Sequence, residues 1–153
     1  MTAMVSAAPT AAGIAARYRK INGLQGVEVT DGDRIMLRVG AVTGLRIARP
    51  LADHVRTALE KRRQRTPTIE YSRGANLMFL VNAPVGETHW DNRLFRYVAV
   101  RMGCGAMIAL PGPGSSAWLV PPEGDRRIDF DALAHITIET ATTKPRRDRT
   151  RLG

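Results

Sequence analysis

Two acidic triplets carry a spacing that metal-dependent chemistry uses: Asp31-Gly32-Asp33 and Asp129-Phe130-Asp131. On a strand, residues i and i+2 point the same way, so paired carboxylates concentrate the oxygen ligands a divalent cation needs. The first triplet, however, sits between the strand-forming runs VEVT and RIMLRV. Asp-Gly there suits the backbone angles of a tight hairpin turn. The second triplet opens an apolar run and reads as a helix start, where acids complement the dipole. Neither triplet is expected to hold a metal.

The remaining reactive side chains are scattered. His54, His89 and His135 are far apart and none belongs to a paired-ligand spacing. Each reads as a surface or cap residue. Cys104 is the single cysteine, which excludes an internal disulfide and a thiolate-rich metal site. It opens an apolar run and is expected to be a small buried residue. In PGPGSS (111–116), Ser115 and Ser116 lack the GxSxG elbow, and no lysine follows with phosphate-loop spacing. Proline also removes the backbone N–H groups an anion cradle would use, so this loop reads as a stiff connection. Trp118, within an apolar strand, is expected in the core, whereas Trp90 lies in a polar loop.

Charge is the stronger signal. Twenty-three Lys and Arg against fourteen Asp and Glu give a formal charge of +9 over 153 residues. Such a surplus favours polyanions: nucleic acid first, acidic protein or membrane surfaces next. Five basic residues against one Asp fall in KPRRDRTRLG, residues 144–153. Its Lys144, Arg146, Arg147, Arg149 and Arg151 would bind without sequence preference and lose grip steeply with salt. EKRRQR (60–65) is the second basic run, and an arginine fork suits phosphate oxygens. Arg56, Lys61, Arg62, Arg63 and Arg65 are therefore candidate contacts.

The elements that must position these groups follow from pattern. With 44% hydrophobic residues and 5% aromatic, the core is built from aliphatic side chains. Residues 1–11 are small and expected to be flexible, 12–143 form one domain, and 144–153 a disordered basic tail. Ala12–Lys20 suits a short helix. VEVT and RIMLRV form a hairpin, and AVTGLRIA is a further strand with Gly44 offering a bend or bulge. Leu51, Val55 and Leu59 recur every four residues, predicting a helix from Pro50 to near Arg65 with an Arg56–Glu60 pair on its outer face. TIEYS and LMFLVNA read as strands joined by a turn at residues 73–76, the second covered on both faces. RLFRYVAVRM (93–102) reads as a second main helix, AMIAL and AWLVP as paired strands, DFDALAHI as a short helix capped by Asp129, and ITIETA as a last strand. The expectation is an α+β fold: a single compact domain, a largely antiparallel sheet, and two main helices packed on it. The N-terminus has its charges after its apolar part, the reverse of a secretory signal. No apolar run reaches the ~20 residues of a membrane span. A cytoplasmic location is expected, with the oligomeric state left open.

The order of GAVTGLRIARPLADHVRTAL, PTIEYSRGANLMFLVNAP and IALPGPGSSAWLVPP resembles a group of small actinobacterial proteins. That group is similar to the C-terminal part of the bifunctional DNA primase/polymerase (prim-pol) N-terminal domain. The resemblance spans about residues 35–123 and falls on Arg73, Phe79, Leu80, Leu110, Pro111, Trp118, Pro121 and Pro122. It implies a link to nucleic acid and adds Arg73 to the candidate contacts. A working prim-pol needs an Asp-x-Asp on a strand, a further acid and a His. Asp31 and Asp33 lie in a turn instead, so the resemblance implies a degenerate, non-catalytic relative with no cofactor and no metal. It would associate with nucleic acid, or with the replication or transcription machinery, through basic surface and tail. The alternatives are a protein-interaction or regulatory module meeting an acidic protein surface, and, further off, a metal-dependent nucleotidyl transferase.

Overall fold

A computed structural model describes residues 9–86 and 88–143, so the basic tail, with Lys144, Arg146, Arg147, Arg149 and Arg151, lies outside the described residues. The chain opens with helix α1 (Ala11–Lys20), which begins where Thr10 Oγ1 accepts the Gly13 amide at 3.0 Å. This side chain satisfies one of the first-turn donors a helix leaves unpaired. Strands β1 (Val27–Thr30) and β2 (Arg34–Arg38) form the expected hairpin, with Asp31-Gly32-Asp33 as its turn. Gly32 and Asp33 take φ of 80° and 60°, which explains the Asp-Gly-Asp chemistry there.

β3 (Val42–Ala48) leads into α2 (Arg49–Lys61), where proline occupies the first turn. The helix stops four residues before the expected Arg65, because the chain reverses through Arg63 at φ 54°. The i,i+4 pair on α2 is Arg49–Asp53 at 2.9 Å; the expected Arg56–Glu60 pair does not form among the described residues. A tight turn through Ser72–Gly74 then joins β4 (Thr68–Tyr71) to β5 (Asn76–Asn82).

Two segments differ from expectation. Within 93–102 the helix is only α3 (Trp90–Phe95), and β6 (Ala99–Arg101) follows as a strand paired with β3. Val98 at φ 59° breaks the helical path, and Ala99 is then set opposite Ile47. The expected last strand ITIETA is instead the second half of α4 (Phe130–Thr143). Phe130, Leu133, Ala134, Thr137, Ile138 and Ala141 are buried at helical spacing, and this burial outweighs the strand preference of Ile-Thr-Ile. The two main helices on the sheet are therefore α2 and α4.

The strands form two antiparallel sheets. One has the order β6-β3-β5-β4-β8 and the other β1-β2-β7, with β7 (Met107–Leu110) and β8 (Trp118–Val120) completing them. β7 and β8 do not pair with each other, since the prolyl loop between them crosses from one sheet to the other. β5 is central and buried on both faces, as its unbroken apolar run requires. On one face Leu45, Ile47, Leu77, Phe79 and Val81 pack against α2, α3 and α4. On the other, Val42, Met78 and Leu80 meet Ile35, Leu37 and Ile108 of the small sheet, with α1 closing the end. Gly44 keeps regular register opposite Leu80 rather than forming a bulge. A Cβ there would lie 2.6 Å from Met78 Sδ and 2.9 Å from Ile108 Cδ1, so glycine is what lets the two sheets approach. Cys104 is exposed, not buried, because the apolar run it precedes enters the core only at Ile108. No described helix is long and apolar enough to cross a membrane.

Candidate nucleic-acid interface

The basic run at the end of α2 is converted by the chain reversal into one wall of a groove. Arg56, Arg63, Gln64 and Arg65 line it on one side, and Thr68 of β4 with Val120 of β8 on the other, enclosing about 300 Å³. Within this groove Arg56 is half-buried, and its Nε is buried without a hydrogen-bond partner among the described residues. A buried guanidinium donor left unpaired costs about 1–3 kcal/mol, more where the group is charged. Nε is itself closed to the groove, and the exposed side chains of Arg63 and Arg65 present accessible charge beside it. Arg65 is already oriented, donating to the Pro121 carbonyl at 2.7 Å and lying 3.7 Å from Glu123. Glu60 is the one acid in the lining.

The end of a helix carries negative partial charge, which opposes anion binding. Here the last carbonyls are occupied: Ala58, Leu59 and Glu60 accept backbone N–H groups from Arg62, Arg63 and Gln64. Arg62 adds a side-chain bond to Ala58 O and pairs with Glu139 on α4, so its charge is directed away from the groove. Lys61 lies on another side of α2, in a shallow cleft with Arg62 and Glu139. Arg73 does not join these residues. Its turn sits at the other end of α2, where Arg49 Nη1 donates to Gly74 O and Glu70. Arg73 is exposed at φ 56°. Of the candidate contacts, Arg56, Arg63 and Arg65 converge, while Lys61, Arg62 and Arg73 stand apart.

The acidic triplets are not brought together. Asp31 and Asp33 are exposed in the hairpin turn, and Asp129 Oδ1 accepts from Asn82 Nδ2 at 3.0 Å. Among the described residues no group of three or more His, Cys, Asp or Glu is placed to hold a metal ion. The histidines are all exposed, and two of them share a partner: His89 stacks on Trp90 at 5.3 Å and His135 meets it edge-on at 6.2 Å. Arg93 covers the same indole at 4.9 Å, a cation–π contact. In the prolyl loop, Pro111 is buried and its carbonyl accepts from Tyr18 Oη at 2.6 Å, which ties this loop to α1.

A second, larger concavity of about 690 Å³ runs between α1 and the segment following β8. Trp118 is half-buried there instead of fully in the core, and its Nε1 donates to Tyr18 Oη at 3.1 Å. Burial raises the Tyr18 phenol above its ordinary range, with the bond from Trp118 working against that rise. Sequence reasoning missed this groove. The helical spacing of Gly13, Ile14, Arg17 and Ile21 was visible, but its opposite wall lies about a hundred residues away in the chain. Arg127 was missed too. It donates to Asn82 Oδ1, Asn22 O and Gly23 O, joining the end of β5 to the turn after α1, and burial pushes its guanidinium pKa down. In the comparisons with known proteins, no family model, no curated protein and no solved structure matches this chain.

Proposed function

We propose that this chain is a non-catalytic module that associates with nucleic acid, gripping phosphate through the groove at the end of α2 and adding the charge of residues 144–153. The observation that carries the reading is the convergence of Arg56, Arg63 and Arg65 on one groove whose lining holds a single acid, Glu60. A guanidinium fork offers paired N–H donors at the spacing of phosphate oxygens, and a desolvated site strengthens that contact. The net charge of +9 supports the same partner class. The resemblance to a degenerate prim-pol fragment agrees with it. The exposed, turn-bound placement of Asp31 and Asp33 favours binding over nucleotidyl transfer.

The test is filter binding of duplex and single strands across a salt series. It compares the full chain, the double variant Arg56→Gln with Arg63→Gln, and a chain lacking residues 144–153. Each lost phosphate contact should reduce the log–log salt slope by about 1, and the double variant should weaken all sequences alike. Failure of the full chain to bind at low salt would refute the reading. So would binding that neither the groove variant nor the tail deletion weakens.

A further inference from the structure

The groove between α1 and the segment after β8 has a chemistry the nucleic-acid reading does not use. One wall is a single stripe of α1: Gly13, Ile14, Arg17 and Ile21. The other is Trp118 with Pro121 and Pro122. At about 690 Å³ the space is within the range of specific ligand pockets, ~300–1,000 Å³. Arg17 is the one charged side chain among the described lining residues, and it makes no hydrogen bond or ion pair with them. Ile21 is left 56% exposed at the edge. Asn22 lies at the end of the stripe and is 4% exposed. Its Nδ2 donates to Gly124 O at 2.8 Å, while its Oδ1 accepts from no described residue.

An apolar trough, a guanidinium with no described partner and an amide oxygen that accepts from no described residue ask for three things in one ligand: an apolar side chain, a carboxylate and an N–H. We infer that this groove binds the free C-terminus of a partner polypeptide ending in an apolar residue. The carboxylate meets Arg17, the last side chain packs between Ile14 and Trp118, and a backbone N–H donates to Asn22 Oδ1. Arg17 lies on α1 and Asn22 two residues past its end, and both line the same groove. The absence of a side chain at Gly13 keeps the trough open: a Cβ there would meet only Thr10 Oγ1, at 3.2 Å. Glycine within a helix is unfavourable, and here it also spares the Thr10 cap, whose Oγ1 a Cβ would crowd.

The chain has two tryptophans, so Trp90→Phe leaves Trp118 as the sole indole reporter. In that background, a set of N-acetylated pentapeptides ending in Val, Leu, Ile or Phe is titrated, each made as the free acid and as the amide. The expected result is a saturable change in Trp118 emission, with the preferred acids binding at least tenfold tighter than their amides. Arg17→Gln should abolish that preference while leaving the amide affinity unchanged. Gly13→Leu should fill the trough and remove binding of both forms while keeping a cooperative thermal transition, which separates blockage from misfolding. Acid and amide binding alike to the parent chain would overturn the inference. So would unaltered binding by the Gly13→Leu protein, or a set in which no peptide changes the emission. Oligonucleotide binding by the same variants is read in parallel, so failure here is distinguished from failure of the nucleic-acid reading.

Discussion

Gly44→Ala tests the central packing claim, that a missing side chain in β3 sets the approach of the two sheets. The added Cβ would sit 2.6 Å from Met78 Sδ, 2.9 Å from Ile108 Cδ1 and 3.2 Å from Met78 Cγ. Carbon atoms pack at about 3.5–4.0 Å, so Ile108 must retreat by roughly 1 Å and Met78 must change rotamer. Overpacking of this kind costs about 1–3 kcal/mol. Alanine returns about 0.4–1 kcal/mol by restricting the unfolded chain. The expected net loss is about 1–2 kcal/mol, or roughly 2–8 °C in Tm for a domain of this size. Gly40→Ala is the control, because nothing lies within 4 Å of a Cβ there. Urea unfolding followed by circular dichroism reads both. Ile108→Val removes the Cδ1 atom, so the double variant with Gly44→Ala should be less destabilised than the sum of the single changes, by at least ~0.5 kcal/mol. A Gly44→Ala protein as stable as Gly40→Ala, or strict additivity with Ile108→Val, would refute the sheet-on-sheet contact.

Tyr71 on β4 reaches across to the small sheet and donates to Ala109 O at 2.7 Å, and burial raises its phenol to about 12 from the ordinary 10.0. The folded state therefore holds this proton more tightly than the unfolded chain. Its contribution is complete below pH 10 and is lost as pH rises toward 12. Stability measured over that window should fall, and Tyr71→Phe should flatten the decline; an unchanged slope would exclude Tyr71 as its source. Cys104 is exposed in the turn between β6 and β7, so it should react with a thiol-disulfide reagent in the native protein as fast as in denaturant. Labelling that waits for unfolding would contradict its placement.

Local chemistry made much of the fold legible in advance. Asp31-Gly32-Asp33 names its hairpin because few other residues tolerate those backbone angles, and the four-residue spacing of Leu51, Val55 and Leu59 names α2 because one helix face must be covered. The unbroken apolar run of β5 announced a strand buried on both faces for the same reason. Where the deciding partner was distant, local chemistry misled. Residues 93–102 carry helical spacing, yet Val98 adopts a left-handed angle and Ala99 pairs with Ile47. Residues 136–141 carry strand formers, yet the apolar cover beside α2 makes them helical.

The candidate sites divide in the same way. The arginines were visible as a charged run, and the run itself determined that a cationic surface would exist near the end of α2. Only the reversal at Arg63 and the arrival of β8 decided that Arg56, Arg63 and Arg65 share a groove while Arg62 turns to Glu139. Only tertiary structure set Trp118 against Tyr18 and opened the trough beside Arg17. Residue type, spacing and backbone preference act within a few residues of themselves and can be read along the chain. Shared cavities and unpaired buried donors are properties of segments far apart in sequence, and they exist only once packing has brought those segments together.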